Sequence, residues 1–402
     1  MIFVEDPKWR MLILCFISMI SVWIAFRPIL RIALNKNITD APGVRKLQKI
    51  PIPVLGGAAV FFGIIVGIGF FKTMVAYPAI FPTIVVMTAM LYIGMVDDIL
   101  SIKPWKRILL EIAGALLILY GNRVCIADFQ GLWNIDTINY KVGVPLSVLT
   151  FVGIVNAINM IDGVDGLCSG FCIMILLFFG LAFFLAFDYS YAALAAVAIG
   201  SLVPFFVHNV IGLRSKMFLG DGGTMVMGTL ISSMVFEMLG KNMGASLREI
   251  TSHTLGYSLD FSLIAFSLAV LSIPVFDTVR VMTERILRGK SPFSPDKTHL
   301  HHLFTQAGFS YIGTTLHELL LNLAVIAVFS VSWLCGLGVD WQLYCVLAAA
   351  FLADFGTASF LRRIPARPAS TAARILASQA GRSHIERKGF WLKLQKMVDG
   401  NL

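Results

Sequence analysis

The chain has 402 residues, of which 57% are hydrophobic and only 14% charged, with a formal net charge of +9. Soluble domains are usually about a quarter charged, so this composition excludes an ordinary soluble enzyme and marks an integral membrane protein. The basic excess is distributed between apolar runs, which makes it a topology signal and excludes nucleic-acid binding as its purpose.

Eleven apolar runs, read against a hydrocarbon core of about 30 Å, fall near residues 11–30, 55–71, 79–96, 107–121, 143–158, 166–187, 190–207, 224–240, 256–282, 312–334 and 341–361. The first follows Glu5 and Asp6 without a small-residue cleavage site and reads as a retained span. The fourth is short and contains Glu111. The ninth is long and carries Pro274, which predicts a kinked helix projecting past the membrane. Between the fourth and fifth runs, residues 122–142 form the main outside loop. There Val124-Cys125-Ile126 and Trp133-Asn134-Ile135, with Gly131 between them, suggest a short β-hairpin. Residues 283–311 form the longest inside loop; Pro292 and Pro295 argue against one straight helix. The expected architecture is an all-α polytopic membrane protein of about eleven transmembrane helices, with one membrane domain over 1–361 and a basic cytoplasmic tail over 362–402. The tail ends in an amphipathic stretch, Phe390 to Leu394, suited to anionic membrane lipid. With the N-terminus outside and the C-terminus inside, 25 Lys and Arg residues fall inside and 7 outside; without the tail the ratio is still 16 to 7. The six cysteines show no CxxC spacing and read as small buried hydrophobes.

This threading places four polar clusters on one face. Asp97-Asp98 closes the third run; adjacent carboxylates repel and are costly near a bilayer unless a cation joins them, and Lys103, Lys106 and Arg107 follow. Asn156 to Gly166 (NAINMIDGVDG) joins the fifth and sixth runs, with Asn159 and Asp162 three residues apart and Asp165 beyond. Phe218-Leu219-Gly220-Asp221-Gly222-Gly223 precedes the eighth run, where glycines let backbone N–H groups approach an anion at a helix start and Asp221 is placed to hold a metal. His299, His301 and His302 follow Arg285, Arg288, Lys290 and Lys297, a basic surface suited to a pyrophosphate. Zinc is the competing metal reading for the histidines, but neighbouring carboxylates and phosphate chemistry favour a hard ion. Asp260, Asp277 and Glu237 read as hydrogen-bonded packing groups. A transporter, the rival class, would carry its charges near the midplane and in repeated halves.

From about Asp40 to Gly308 the chain resembles the polyprenyl-phosphate N-acetylhexosamine-1-phosphate transferases. The resemblance rests on Arg45-Lys46, Pro51 to Gly57 (PIPVLGG), Asp97-Asp98, NAINMIDGVDGL, FLGDGG, and PVFDTVR leading into KSPFSPDKTHLHH. The last string is similar to the bacterial branch that uses UDP-N-acetylglucosamine, the WecA- and TagO-like branch, and departs from the UDP-MurNAc-pentapeptide branch. The resemblance implies ten or eleven spans, a cytoplasmic active site in the bacterial inner membrane, Mg²⁺ (or Mn²⁺), and attack of polyprenyl phosphate on a UDP-HexNAc to release UMP. It implies a metal on Asp221 and lipid phosphate and catalysis at Asp97 and Asp98, either as base or as ligand. Asn159, Asp162 and Asp165 would line the nucleotide and metal site, and Phe218 would stack on uracil. Lys49 would lie on the uridine side, and Arg285, His299, His301 and His302 on the diphosphate; Lys103 is a further candidate for the lipid phosphate. Homodimers occur in the family. Gln48 stands where many relatives have His, Gly222 to Thr224 replaces the commoner Ala/Thr-Gly-Ser, and the basic tail is longer than the family pattern.

Overall fold

The computed structural model describes residues 6–40, 51–70, 80–240, 243, 259–294, 296–364 and 389–400. It is built of helices with two small antiparallel sheets. The helices are α1 (Pro7–Asn35), α2 (Gly56–Gly69), α3 (Ile80–Leu100), α4 (Pro104–Asn122), α5 (Tyr140–Met160), α6 (Leu167–Leu185), α7 (Tyr189–Ile211), α8 (Gly220–Gly240), α9 (Leu263–Val270), α10 (Ser272–Leu287), α11 (Leu300–Gln306), α12 (Tyr311–Leu334), α13 (Val339–Arg363) and α14 (Phe390–Asp399). Side-chain caps mark several starts: Asp6 accepts from Lys8 N–H, Asn139 from Lys141 N–H, and Ser310 from Gly313 N–H.

Helix α8 is the central post. Its spanning stretch is wholly buried, and it packs against α3, α5 and α2. Glycine, serine and threonine recur along it, and small residues let membrane helices approach closely when lipid offers no hydrophobic drive to associate. Outer helices show the reverse: Phe16, Ile24, Tyr92, Leu149 and Phe351 are exposed, as lipid-facing side chains must be. The chain is a multi-pass membrane protein.

The span count differs from the expected eleven. Among the described residues eight helices are long and apolar enough to cross a membrane, and nine if the pair α9–α10 counts as one. Each of the eleven apolar runs has its helix, but α2 has only 14 residues, about 21 Å at 1.5 Å per residue, short of a 30 Å core. Helix α4 has 19 residues but carries Lys106, Arg107 and Glu111. The kink expected at Pro274 is present as a 74° bend between α9 and α10. Proline cannot donate to the preceding turn, and Asn322 of α12 caps both broken ends. Its Nδ2 donates to Val270 C=O at 3.1 Å, and its Oδ1 accepts from Ile273 N–H and Ser272 Oγ, each at 2.9 Å. Helix α10 thereby leaves the bundle and carries its C-terminal half toward α11.

The hairpin expected between the fourth and fifth apolar runs exists with different strands. Strand β3 (Asp128–Leu132) pairs with β4 (Ile135–Thr137), after β1 (Thr39–Asp40) and β2 (Ile52–Pro53). Val124 to Ile126 is not a strand; these residues are buried in the core. Trp133 and Asn134 form the two-residue turn, with φ of 55° and 60°, the left-handed geometry that matches strand twist. The last span runs on through Arg363 with a π-helical turn at Leu352–Gly356.

Candidate active site

Five segments meet at one end of the helices: the C-terminal ends of α3 and α5, the loop 161–166, the start of α8, and the arm α10–α11. The start of α8 is the hub. Gly220 has a φ of +72°, a conformation open to glycine, and this turn aims successive backbone N–H groups outward. Asp98 accepts from Asp221 N–H at 3.0 and 3.2 Å, and Asp162 accepts from Gly220 N–H. Two carboxylates therefore sit on the positive end of α8, where the helix dipole favours them. Neighbouring backbones are keyed in: a Cβ on Gly94 of α3 would overlap Asp221 and Gly222, and one on Gly57 would overlap Gly223. Gly56 and Gly57 N–H donate to Phe218 and Leu219 carbonyls at 3.0 and 2.8 Å, and Phe218 N–H donates to Pro53 at 2.8 Å. The PIPVLGG string is thus the backbone partner of FLGDGG.

Asp221 projects from this hub. Its Oδ1 accepts from Asn159 Nδ2 at 2.6 Å, and the same amide reaches Thr224 Oγ1 at 2.8 Å. Its Oδ2 lies 3.7 Å from Arg107 Nη1. Arg107 also faces Asp97 Oδ2 at 3.4 Å and donates through Nε to Glu111 at 3.0 Å. Glu111 is fully buried and takes a second bond from Asn156 Nδ2 at 2.6 Å. Among the described residues Arg107 Nη2 is buried without a partner, a donor beside the carboxylates. Asp97 additionally caps the turn after α3 by accepting from Ile102 N–H at 2.6 Å. Asp162, half-buried in its loop, has its carboxyl pushed up to about 7, first by burial and next by the charge of Asp221. Asp165 is also raised by burial, although Lys216 pairs with it at 2.5 Å.

The histidines approach from α11. A Cβ on Gly163 would stand 2.6 Å from His301 Nε2, so His301 lies directly against the Asp162–Asp165 loop. His299, His301 and His302 stack in series, with ring centroids 5.6 and 4.3 Å apart. Their roles divide by contact. His299 is buried, with Nδ1 2.6 Å from Asp277 and Nε2 3.4 Å from Arg285. Nδ1 of His301 and of His302 is buried with no partner. Burial, then neighbouring histidines, holds His301 well below the ordinary imidazole value; burial, then His299, holds His302 down at about 4. Asp277 ties the arm together: it pairs with Arg280, takes Leu300 N–H at 2.9 Å and orients His299.

Arg285 is placed differently from a free diphosphate ligand. Its Nε and Nη2 donate to Asp296 at 3.0 Å each, and its Nη1 to Pro292 C=O at 2.6 Å. In this structure it clamps the loop that precedes the histidines. Lys103 is exposed at the N-cap of α4, and Phe218 is half-buried in the loop before α8. Lys49 lies outside the described residues. Arg107, Lys216 and Asn209 belong to the site, yet the motif reading gave them no part. Asn209 accepts from Gly166 N–H at 2.6 Å and donates to Met217 C=O at 2.8 Å, joining two site loops. The one sequence signal for Arg107 was its i,i+4 spacing from Glu111, a carboxylate inside an apolar run.

Among the described residues no three His, Cys, Asp or Glu side chains form a ready metal cage. A hard ion such as Mg²⁺ needs no such cage, since it usually takes one or two carboxylates, keeps several waters and completes its shell with substrate phosphates. Asp221 and Asp162 are the carboxylates whose hard oxygens would suit such an ion.

Residues 80–239 match the model of glycosyl transferase family 4. Curated relatives extend the likeness over most of the chain. An undecaprenyl-phosphate alpha-N-acetylglucosaminyl 1-phosphate transferase of Escherichia coli O157:H7 is 27% identical over 310 residues, 75% of this chain and 79% of the relative. A probable undecaprenyl-phosphate N-acetylglucosaminyl 1-phosphate transferase of Bacillus subtilis is 28% identical over 312 residues, covering 76% and 80%. The Yersinia pestis relative, 26% identical over 285 residues, covers 70% and 73%. The polyprenyl-phosphate transferase resemblance in the sequence motifs and these family 4 matches agree.

Proposed function

We propose that this protein transfers a HexNAc-1-phosphate, specifically GlcNAc-1-phosphate, from a UDP-sugar to undecaprenyl phosphate, starting a lipid-linked cell-envelope glycan. The observation that carries this reading is the convergence of Asp98, Asp162 and Asp221 on one helix start, with Arg107 facing Asp221 at 3.7 Å. Relatives named for that reaction support it. The proposed setting is the bacterial inner membrane with the site on the cytoplasmic face, supported by the excess of Lys and Arg on that side of the threading.

An oxygen of the lipid phosphate attacks the β-phosphorus of the UDP-sugar. The bond from that phosphorus to the bridging oxygen breaks, and UMP leaves with the oxygen and its electron pair. Such transfers depend on in-line positioning and charge neutralisation more than on covalent help. Asp221 and Asp162 are the proposed holders of Mg²⁺, which when bound would neutralise diphosphate charge. Asn159 orients Asp221. Arg107 offers its unpartnered Nη2 to a phosphate oxygen, and His301 and His302 present donors on the opposite side. Phe218 and Lys216 flank the nucleotide. Asp98, bonded to the α8 backbone, fixes the hub. Asp97 faces Arg107 and is placed to orient the lipid phosphate; the second pKa of a phosphate monoester is about 6, so the nucleophile needs little help from a base. If Asp97 is a ligand, Asp97→Asn lowers the rate uniformly and leaves the shape of the pH–rate profile unchanged.

The test of the whole reading is UMP release from a panel of UDP-sugars with undecaprenyl phosphate, with and without Mg²⁺. The expected result is metal-dependent UMP release, greatest with UDP-GlcNAc. Absence of UMP with every UDP-sugar would overturn it.

A further inference from the structure

The last described helix touches the site from a distance of nearly two hundred residues in sequence. Asp399, at the end of α14, accepts from the backbone N–H of Leu213 at 3.0 Å, Arg214 at 3.1 Å and Ser215 at 3.1 Å, and from Ser215 Oγ at 2.9 Å. Three successive N–H groups converging on one carboxylate form an anion-binding nest. Asp399 is buried there, and Val398 beside it is fully buried. The receiving segment follows the end of α7, where Gly212 turns the chain into extended geometry. It leads directly into Lys216, paired with Asp165, and into Phe218, whose backbone is fixed by Pro53 and Gly56.

The loop 212–219 is therefore held at both ends. Its far end is pinned by the PIPVLGG backbone, Met217 in its middle by Asn209, and the turn at 213–215 by the side chain of Asp399 from α14, next to the Gly212 N–H bond to His208 C=O. We propose that Asp399 is a positioning residue for the active site: by filling the nest at 213–215 it sets the register of Lys216, and through it the pocket for the nucleotide part of the substrate. This role rests on the transfer reading above. The transfer takes place at the β-phosphorus, beside the carboxylates of the α8 hub and away from 213–215, so loss of Asp399 weakens capture of the UDP-sugar and leaves the bond-breaking step and the lipid substrate alone.

The experiment uses the full chain with Asp399→Ala and Asp399→Asn, steady-state UMP release, and amide hydrogen exchange. Asp399→Ala is expected to raise KM for the UDP-sugar about tenfold, with kcat within about twofold of wild type and KM for undecaprenyl phosphate unchanged. Exchange at residues 213–215 should accelerate, and Asp399→Asn, which keeps an acceptor oxygen, should fall between. Unchanged KM in Asp399→Ala, or unchanged exchange at 213–215, overturns the proposal. So does a parallel loss of kcat and of affinity for both substrates with a lowered Tm, which would mark general damage to the fold. If wild-type protein releases no UMP from any UDP-sugar, the transfer reading itself falls, and the exchange arm alone decides whether Asp399 orders the loop.

Discussion

The two halves of the site handle charge in opposite ways. On the α10–α11 arm every acidic group among Asp277, Glu284 and Asp296 has a guanidinium partner: Arg280 for Asp277 and Glu284, Arg362 also for Glu284, and Arg285 for Asp296. At the α8 hub, Asp97, Asp98, Glu111, Asp162 and Asp221 converge, and the cation that faces this group is Arg107. One half is neutralised by its own residues and holds a shape. Among the described residues the other carries an excess of negative charge, which a bound cation would balance. Buried like charges are maintained at a cost in stability, and such arrangements cluster where chemistry is done.

The largest effect expected from breaking this asymmetry is at Asp221. Asp221→Ala should lower UMP release by at least about 10³-fold, the scale seen when a principal electrostatic group is removed. The Tm should hold or rise, because one of the repelling carboxylates has gone. Turnover and thermal unfolding in detergent check both halves of that statement. Next in size, Arg107→Ala should cost about 10²-fold in rate. It also strands Glu111 as a buried, uncompensated charge, at about 3–5 kcal/mol. The double change Arg107→Met with Glu111→Leu should recover the stability and not the rate, which separates structure from function at that position.

On the self-neutralised half, Arg285→Lys should lower stability by about 1–3 kcal/mol, since a lysine cannot make the two-pronged contact to Asp296. Exchange at residues 291–298 should quicken first. The smallest effect is a pH response of opposite sign in the two halves. His302 titrates at about 4 in the folded protein and near 6.5 unfolded. Its contribution is therefore complete above about 6.5 and declines as pH falls toward 4. Asp162 titrates at about 7 when folded and near 3.9 unfolded. Its contribution is complete below about 3.9 and is lost as pH rises through about 7. Tm profiles of His302→Gln and Asp162→Asn between pH 5 and 8 should accordingly flatten on opposite sides.

Much of this arrangement is readable in the chain itself. Apolar runs carry the polar clusters at their ends, so alternating direction through a bilayer brings Asp97-Asp98, Asn159 to Asp165, Asp221 and the histidines to one side. What the chain hides is partnership. Arg107 meets Asp221 across more than a hundred residues, and Lys216 meets Asp165 across 51; no local period encodes such pairs. Arg285 looks like a ligand in a basic string, but Asp296, eleven residues on, captures it. The hairpin was misread in register because Val124 to Ile126 has strand composition while the core buries it. The true strand holds Gln130 and Gly131 at positive φ, which composition does not signal. Hydropathy alone reads eleven runs, but it does not measure the reach of a helix, and the described part of α2 has 14 residues.

The break before Pro274 has a mechanical consequence. One carboxamide, Asn322, grips both sides of that joint, so α12 sets the angle at which the histidine-bearing arm leaves the bundle. A tilt of α12 would swing His301 relative to Gly163, so this joint couples the geometry of the site to the packing of a helix that carries none of its polar clusters.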